Sequence, residues 1–161
     1  MKINKKIKEW NEVCKKYIIY LFERVDREQE KLTLFFDCSN SGLFNVDTEL
    51  LWFIISLLKN YYPMMLHTIL VYELPWVLNF VFKLLHSWLP HDQRQLLHPI
   101  TKKDVHDFVS PDQLPDFLNG TSDLPYKSTP KHVQYAIDLA PQLSIGKSAA
   151  EELTEQYQPY M

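Results

Sequence analysis

The sequence predicts an α/β fold in which helices cover a mixed, largely parallel sheet. Strand-like and helix-like segments alternate from residue 31 to residue 89, an order typical of α/β layers joined by right-handed crossovers. The first strand-like segment is a continuous apolar run, which favours a sheet covered on both faces. With 161 residues, 46% of them hydrophobic, the chain can form one domain with a sizeable core.

An amphipathic helix is predicted over residues 3–30, because apolar residues recur there at steps of three and four positions. Lysine, glutamate and arginine occupy the positions between them, as on a helix with one solvated face. The pattern then changes to the short apolar segment KLTLFFDCS (31–39), which indicates a buried strand. The polar residues NSG (40–42) end this strand in a turn.

A second helix is predicted to begin at Asp47, since a threonine and a glutamate follow it and acidic groups stabilise the positive end of a helix dipole. It is expected to run to about Tyr61 and to end before Pro63, because the residue that precedes a proline avoids the helical conformation. The segment HTILVYEL (67–74) is interpreted as the second strand.

The stretch 61–90 is apolar enough to suggest a membrane span, but its polar residues argue against one. Pro75 would break a spanning helix, and Glu73 and Lys83 would each place a charge inside it. A charge at the bilayer centre costs about 2.5–3.5 kcal/mol on insertion scales. We therefore interpret the stretch as a helix end, a strand, a proline turn and a third helix over residues 76–89.

The predicted helix 76–89 is apolar over well over half of its circumference, whereas a helix that covers a sheet needs only about 100° of apolar arc. Its polar side chains form one narrow stripe of Asn79, Lys83, His86 and Ser87. Two explanations remain open: burial on two sides in the core, or one face against a ligand or a membrane. The predicted helix 48–61 is similarly apolar, so the two helices are candidates to enclose a ligand.

Shorter elements are predicted beyond Pro90. One or two helical turns are expected over 91–97, a short strand over HPIT (98–101) and a further helical turn over 102–109. From residue 121 the sequence becomes polar and is interrupted by prolines. The predicted organisation is one domain over 1–120 and a polar tail or linker over 121–161.

Motifs for catalysis and phosphate binding do not occur in the sequence. There is no G-x-G-x-x-G, G-x-S-x-G or H-E-x-x-H, and GKS at 146–148 lacks the earlier glycine of a phosphate loop, a position held by Pro141. Cys14 and Cys38 have no metal-binding spacing and the six histidines are scattered, so we expect no catalytic residue, metal or cofactor. Asp37 ends a strand where ligand sites often form in α/β sheets, although capping of a turn is the commoner explanation for such an aspartate.

Charge and targeting signals narrow the functional classes further. A formal net charge of −3 argues against nucleic-acid binding, which depends on a basic excess. The N-terminus lacks the apolar segment of a secretory signal, and the two cysteines, which form no disulfide framework, suit a reducing compartment. The expected localisation is cytoplasmic.

The order of the segments resembles the CRAL-TRIO lipid-binding domain. It comprises KKYIIYLFER, LTLFFDCSNSG, a helix ending LLKNYYP, ILVYELPWVLNFVFKLLHSWLP and FVSPDQLPDFLNG, over roughly residues 8–120. The resemblance implies a mixed, largely parallel sheet that forms the floor of an apolar pocket, with helices above it. One roof helix of the family acts as a gate, and here the helix 76–89 corresponds to it.

The resemblance implies non-catalytic binding or transfer of a hydrophobic lipid ligand. The expected pocket and gate residues are Trp76, Val77, Phe80, Val81, Leu84, Leu85 and Trp88, and the expected floor residues are Leu34, Phe36, Leu70 and Tyr72. The expected partners are the lipid and the surface of an intracellular membrane, with protein partners as a further expectation. The alternative is a remnant of the fold that binds protein or membrane without a lipid, its cavity filled by large side chains.

Some positions depart from the family pattern. Members that bind phosphatidylinositol have an acid after Tyr-Tyr-Pro and a lysine beyond the gate, where this chain has Met64 and Leu96, so inositol specificity is not implied. The closing Gly-Gly is Asn119-Gly120, and the turn is expected to survive because asparagine tolerates the left-handed conformation. The N-terminal helical lobe and opening strand of the family are expected to be missing, which would expose an edge of the sheet.

Overall fold

A computed structural model of the protein describes residues 10–123 together with residues 138, 141, 142, 144, 146–148 and 151. The start of the predicted first helix and most of the predicted tail lie outside the described residues. The domain boundary at residue 120 therefore stays a prediction. The described residues belong to two compact units, one formed by 18–108 and the other by 10–17 with those from 109 onward.

The element order confirms the predicted α/β alternation. Helix α1 spans Trp10–Arg27, and strand β1 (Leu32–Asp37) follows it. Helix α2 (Thr48–Asn60) leads to strand β2 (Leu66–Tyr72). A 3-10 helix (Trp76–Leu78) continues into helix α3 (Asn79–Trp88), and strand β3 (Leu97–Ile100) and the short helix α4 (Val105–Phe108) come next.

The three strands found among the described residues form a parallel sheet in the order β1-β2-β3. Both connections cross in the same direction along the sheet, so right-handed crossovers bring α2 and α3 to the same face. The two helices contact each other there. A main core fills the space between this face and the helices, and its most buried members include Ile55 and Leu58 of α2, Ile69 of β2, Leu85 of α3 and Phe22 of α1.

Asp47 starts α2 as the sequence predicts. Its Oδ1 accepts a hydrogen bond from the backbone N–H of Leu50 at 2.9 Å, which satisfies one of the donors that a helix leaves unpaired at its first turn. The helix ends at Asn60, before Pro63, and this confirms the predicted end.

The turn between β2 and the predicted gate is fixed by Glu73, which adopts the left-handed conformation with a φ of 49°. Its backbone N–H donates to the carbonyl of Ile100 at 2.9 Å, and its Oε1 accepts from the backbone N–H of Lys102 at 2.6 Å. The carboxylate that argues against a membrane span therefore fastens the end of β2 to the segment after β3.

The closing turn survives the replacement of the family's first glycine. Asn119 has a φ of 63°, in the left-handed region, as expected. At Gly120 a Cβ would lie 1.8 Å from the carbonyl oxygen of Leu114, so a side chain cannot fit without moving the backbone. The second glycine is required by close approach, whereas the first position needs only tolerance of a positive φ.

Candidate functional site

A cavity of about 360 Å³ lies between α2 and α3 at the carboxyl ends of β1 and β2. This is the edge at which open α/β sheets usually bind their ligands. Its lining residues are Phe35, Phe36, Asp37, Cys38, Ser41, Asn45, Val46, Asp47, Leu50, Leu51, Ile54, Val71, Leu74, Leu78, Val81, Phe82 and Leu85. Most of them are apolar, and the polar ones run from the last residue of β1, Asp37, to the N-cap of α2, Asp47.

Both helical walls of the cavity follow the spacing of one helix face. Leu78, Val81, Phe82 and Leu85 occur at i, i+3, i+4 and i+7 and line the cavity from the α3 side. Asp47, Leu50, Leu51 and Ile54 repeat the same spacing on the α2 side. The sequence therefore directs two apolar faces, one from each helix, toward the same space.

The outward surface of α3 carries the predicted polar stripe, whose four residues are exposed. Two large apolar side chains share this outward surface: Phe80 is 45% exposed, and Trp76 in the preceding 3-10 helix is 83% exposed. Val77, Leu84 and Trp88 are half-buried. The helix thus combines a cavity face with an outer surface that is only partly polar, which explains its wide apolar arc.

The structure brings three of the predicted lipid-site residues to the cavity wall, namely Val81 and Leu85 from α3 and Phe36 from β1. The four predicted floor residues do not lie on one side of the sheet. Leu34 pairs with Ile69 and Phe36 with Val71, whereas Tyr72 pairs with Asp37. Because side chains alternate along a strand, Leu70 and Tyr72 face the side of the sheet opposite to Leu34 and Phe36.

That second side of the sheet is also buried. Leu70 is 0% exposed and Tyr72 is 4% exposed, and the ring of Tyr72 lies 5.6 Å from that of Phe35. A single floor made of all four predicted residues is therefore not formed, and the floor of this cavity comes from Phe36 and Val71. Whether a lipid occupies the cavity stays a prediction.

The sequence analysis named the helix 48–61 as a candidate wall and Asp37 as a strand-end position, but it named no individual wall residue of α2 and neither Ser41 nor Asn45. The signal for the wall was present, since Leu50, Leu51 and Ile54 follow Asp47 at helical spacing. The polar end had a weaker signal, because Ser41 and Asn45 belong to a loop whose path depends on the 3-10 helix Leu43–Asn45.

Two aspartates lie along the polar end of the lining, and both carboxylates are partly committed to the backbone; Asp37 pairs with Tyr72, so its side chain alternates to the side of the sheet opposite to Phe36. Asp37 Oδ1 accepts from the backbone N–H of Ser39 at 2.9 Å and from its hydroxyl at 2.5 Å, so this strand-end aspartate does cap a turn. Asp47 Oδ1 caps α2. Burial, with a smaller contribution from the neighbouring charge of Asp37, raises the pKa of the Cys38 thiol above its ordinary value, which keeps the thiol neutral.

Within the described residues no group of three or more His, Cys, Asp or Glu side chains is arranged to hold a metal ion. None of the helices that these residues form has both the length and the apolar character needed to cross a bilayer.

Comparison with known proteins identifies the fold family. The family model of the CRAL/TRIO domain matches residues 2–120. Phosphatidylinositol transfer protein CSR1 of Eremothecium gossypii is 26% identical over 89 residues, which are 55% of this chain and 20% of that protein. The aligned part thus spans about a fifth of that relative. With a parallel sheet, covering helices and a family match over most of its length, the chain belongs to the CRAL/TRIO domain family.

Proposed function

We propose that this chain binds a hydrophobic lipid in the cavity between α2 and α3 and carries or presents it without making or breaking a bond. The observation that carries the proposal is the cavity itself, whose helical walls are apolar side chains from both helices. Its volume of about 360 Å³ lies at the lower end of the range of about 300–1,000 Å³ found for ligand pockets. Family membership and the name of the phosphatidylinositol transfer relative support lipid as the ligand class.

In this proposal α3 is the gate. Each buried CH₂ of a ligand contributes about 0.8 kcal/mol, so a wall of aliphatic side chains can hold an alkyl chain by contact area alone. Leu78, Val81 and Leu85 supply that wall, and moving them outward with α3 would open the cavity along its length. The segment ELPWVLN…FK…SWLP, which contains this helix, is similar to the CRAL-TRIO domain of motile sperm domain-containing protein 2, and we propose that the chain lies near that subgroup.

The gate side is also the proposed membrane contact. Four large apolar residues, which we call the apolar rim, are exposed next to cavity-lining residues: Leu43 (54%), Phe44 (95%), Trp76 (83%) and Phe80 (45%). Tryptophan and phenylalanine are suited to the boundary between water and acyl chains. A rim at the cavity would let a lipid pass between the bilayer and the protein without crossing water, at the surface of an intracellular membrane.

Uptake of a fluorescent lipid tests the proposal. Replacing Val81 by Phe should fill the cavity and abolish uptake, while the matched exposed change Lys83→Ala on the same helix should leave uptake intact. Circular dichroism and urea unfolding establish that both variants fold. Equal uptake by wild type and a folded Val81→Phe variant would exclude this cavity as the lipid site.

The second candidate function is an interaction module without a lipid. The aromatic residues Phe36 and Phe82 already line part of the cavity wall, which favours it. Native mass spectrometry of the purified chain separates the two candidates. A co-purifying lipid supports the first, and an apo protein that takes up no lipid supports the second.

A further inference from the structure

The helical walls of the candidate cavity are short. The lining residues of the α2 side run from Asp47 to Ile54, and those of the α3 side run from Leu78 to Leu85. At a rise of about 1.5 Å per residue, each wall is about 10 Å long. An acyl chain in one leaflet of a bilayer spans about 15 Å, half of the hydrocarbon core of about 30 Å. The walls are therefore shorter than one membrane chain.

Packed side chains close the cavity at its inner end. Leu58 lies one helical turn beyond the last lining residue of α2, and Leu89 lies one turn beyond the last lining residue of α3. Both leucines are fully buried members of the main core, and neither lines the cavity. The paired strands β1 and β2 form the floor at Phe36 and Val71. A ligand therefore cannot extend further inward without displacing the core.

The volume of the cavity sets the same limit as its length. The cavity measures about 360 Å³. A heavy atom in a condensed liquid takes about 30 Å³, the share of one water molecule, so the cavity holds about a dozen heavy atoms. One alkyl chain of about twelve carbons fills this space. A second chain of the same lipid finds no room between the walls.

We infer that the cavity accepts one alkyl chain of about twelve carbons, so that the protein carries single-chain lipids and does not withdraw two-chain lipids from a membrane. The reason is the cost of the second chain. Each CH₂ that leaves the bilayer for water lowers the occupancy about fourfold, and a second chain would expose all of its carbons. This inference rests on the proposed function, because it defines the class of lipid that the same cavity holds.

A series of lysophosphatidylcholines with one acyl chain of 8, 10, 12, 14 or 16 carbons tests the capacity of the cavity. Each lipid competes with N-phenyl-1-naphthylamine, a neutral probe that fluoresces in apolar cavities, below the critical micelle concentration of that lipid. We expect the affinity to rise about fourfold per carbon up to about twelve carbons and to level off beyond, because further carbons find no wall to contact. A rise that continues unchanged to sixteen carbons would overturn the inference.

Two variants enlarge the cavity from opposite walls. Phe82→Leu on α3 and Leu51→Ala on α2 each remove about three carbon atoms from the lining, so the chain length at which the affinity levels off should grow by about three carbons in each. The matched control is Phe108→Leu, which removes the same atoms from a residue of α4 that is 43% exposed and does not line the cavity. Circular dichroism establishes folding, and an unchanged levelling point in a folded cavity variant would contradict the inference.

Extraction from a membrane separates the inference from the proposed function. The protein is mixed with vesicles of dioleoylphosphatidylcholine that contain one tenth 1-oleoyl-lysophosphatidylcholine, separated from them by flotation and measured by native mass spectrometry. Per mole of lipid offered, occupancy by the single-chain lipid should exceed that by the two-chain lipid at least about tenfold. Equal occupancies would show that the inference is wrong while lipid binding stands. If neither these lipids nor the lysophosphatidylcholine series binds, the proposed function fails and the inference with it.

Discussion

Trp52 of α2 meets Trp88 of α3 edge to face, with ring centroids 5.1 Å apart and 73° between the ring planes. The two helices form the walls of the candidate cavity, so this pair joins the walls to each other. Trp52 is 47% exposed, whereas the half-buried Trp88 packs against the main core, so the contact lies at the edge of that core. Aromatic pairs of this geometry contribute about 0.5–1.5 kcal/mol beyond the area they bury.

Trp52→Ala is therefore expected to lower the free energy of unfolding by about 1–2 kcal/mol, because it removes the ring contact and some apolar burial. Trp52→Phe should lose less than half as much unfolding free energy as Trp52→Ala, since a smaller ring can still contact Trp88. Urea unfolding monitored by circular dichroism measures both. A loss below about 0.3 kcal/mol for the alanine variant would show that the pair does not join the walls.

Glu73 offers a test of the turn that leads into the gate. Glu73→Ala removes the acceptor of the Lys102 backbone N–H and should cost about 0.5–1.5 kcal/mol of unfolding free energy. Glu73→Gln keeps an acceptor oxygen at the same reach and should lose less. Hydrogen exchange at Lys102, followed by nuclear magnetic resonance, should quicken in the alanine variant only. Equal exchange in both variants would contradict the role given to the carboxylate.

The apolar rim predicts binding to neutral vesicles. Phe44→Ser/Trp76→Ser should reduce co-flotation with phosphatidylcholine liposomes at least about tenfold, because two large exposed side chains lose their apolar contact with the bilayer. The control is Tyr61→Ser/Met64→Ser, which removes side chains that are 74% and 77% exposed. Both residues precede the amino end of β2, whereas the rim lies beyond the carboxyl ends of the strands. The same loss in both double variants would mean that the rim is not the contact.

The alkylation rate of Cys38, which lines the cavity, should depend on whether the cavity is occupied. The raised pKa of the Cys38 thiol means that less thiolate is present at a given pH than for an ordinary cysteine, so alkylation by iodoacetamide at pH 8 should be slow and should quicken as the pH rises. A bound lipid should slow it further, because Cys38 lines the cavity. Peptide mass spectrometry follows Cys38 and Cys14 separately, and Cys14 serves as the internal reference. Lipid loading that leaves the Cys38 rate unchanged would argue for a site elsewhere.

Much of the fold could be predicted because its signals are local. The polar cap Asp47, the proline at position 63 and the apolar run of β1 each act on their own neighbours, and the structure confirms the elements they predict, although no residue of β1 is as fully buried as its apolar run predicts. Asn119 likewise adopts the positive φ that its residue type tolerates. The assignment of the family followed from the order of these elements, and the family match confirms it.

The floor of the cavity could not be predicted, because it depends on register. Leu34 and Leu70 are both apolar strand residues, yet the pairing of Leu34 with Ile69 turns Leu70 to the opposite side of the sheet. Nothing in either strand alone fixes that pairing. The polar end near Ser41 was missed for a similar reason, since a loop reaches the cavity only once α2 and the sheet are in place.

Photo-crosslinking tests the central claim, lipid binding between α2 and α3, most directly. A long-chain alcohol that carries a diazirine on its alkyl chain would be loaded, irradiated and mapped by peptide mass spectrometry. The account predicts crosslinks in residues 50–54 of α2 and 78–85 of α3, which line the cavity, and their loss in Val81→Phe. Crosslinks confined to other surfaces, such as the buried side of the sheet that carries Leu70 and Tyr72, would contradict it.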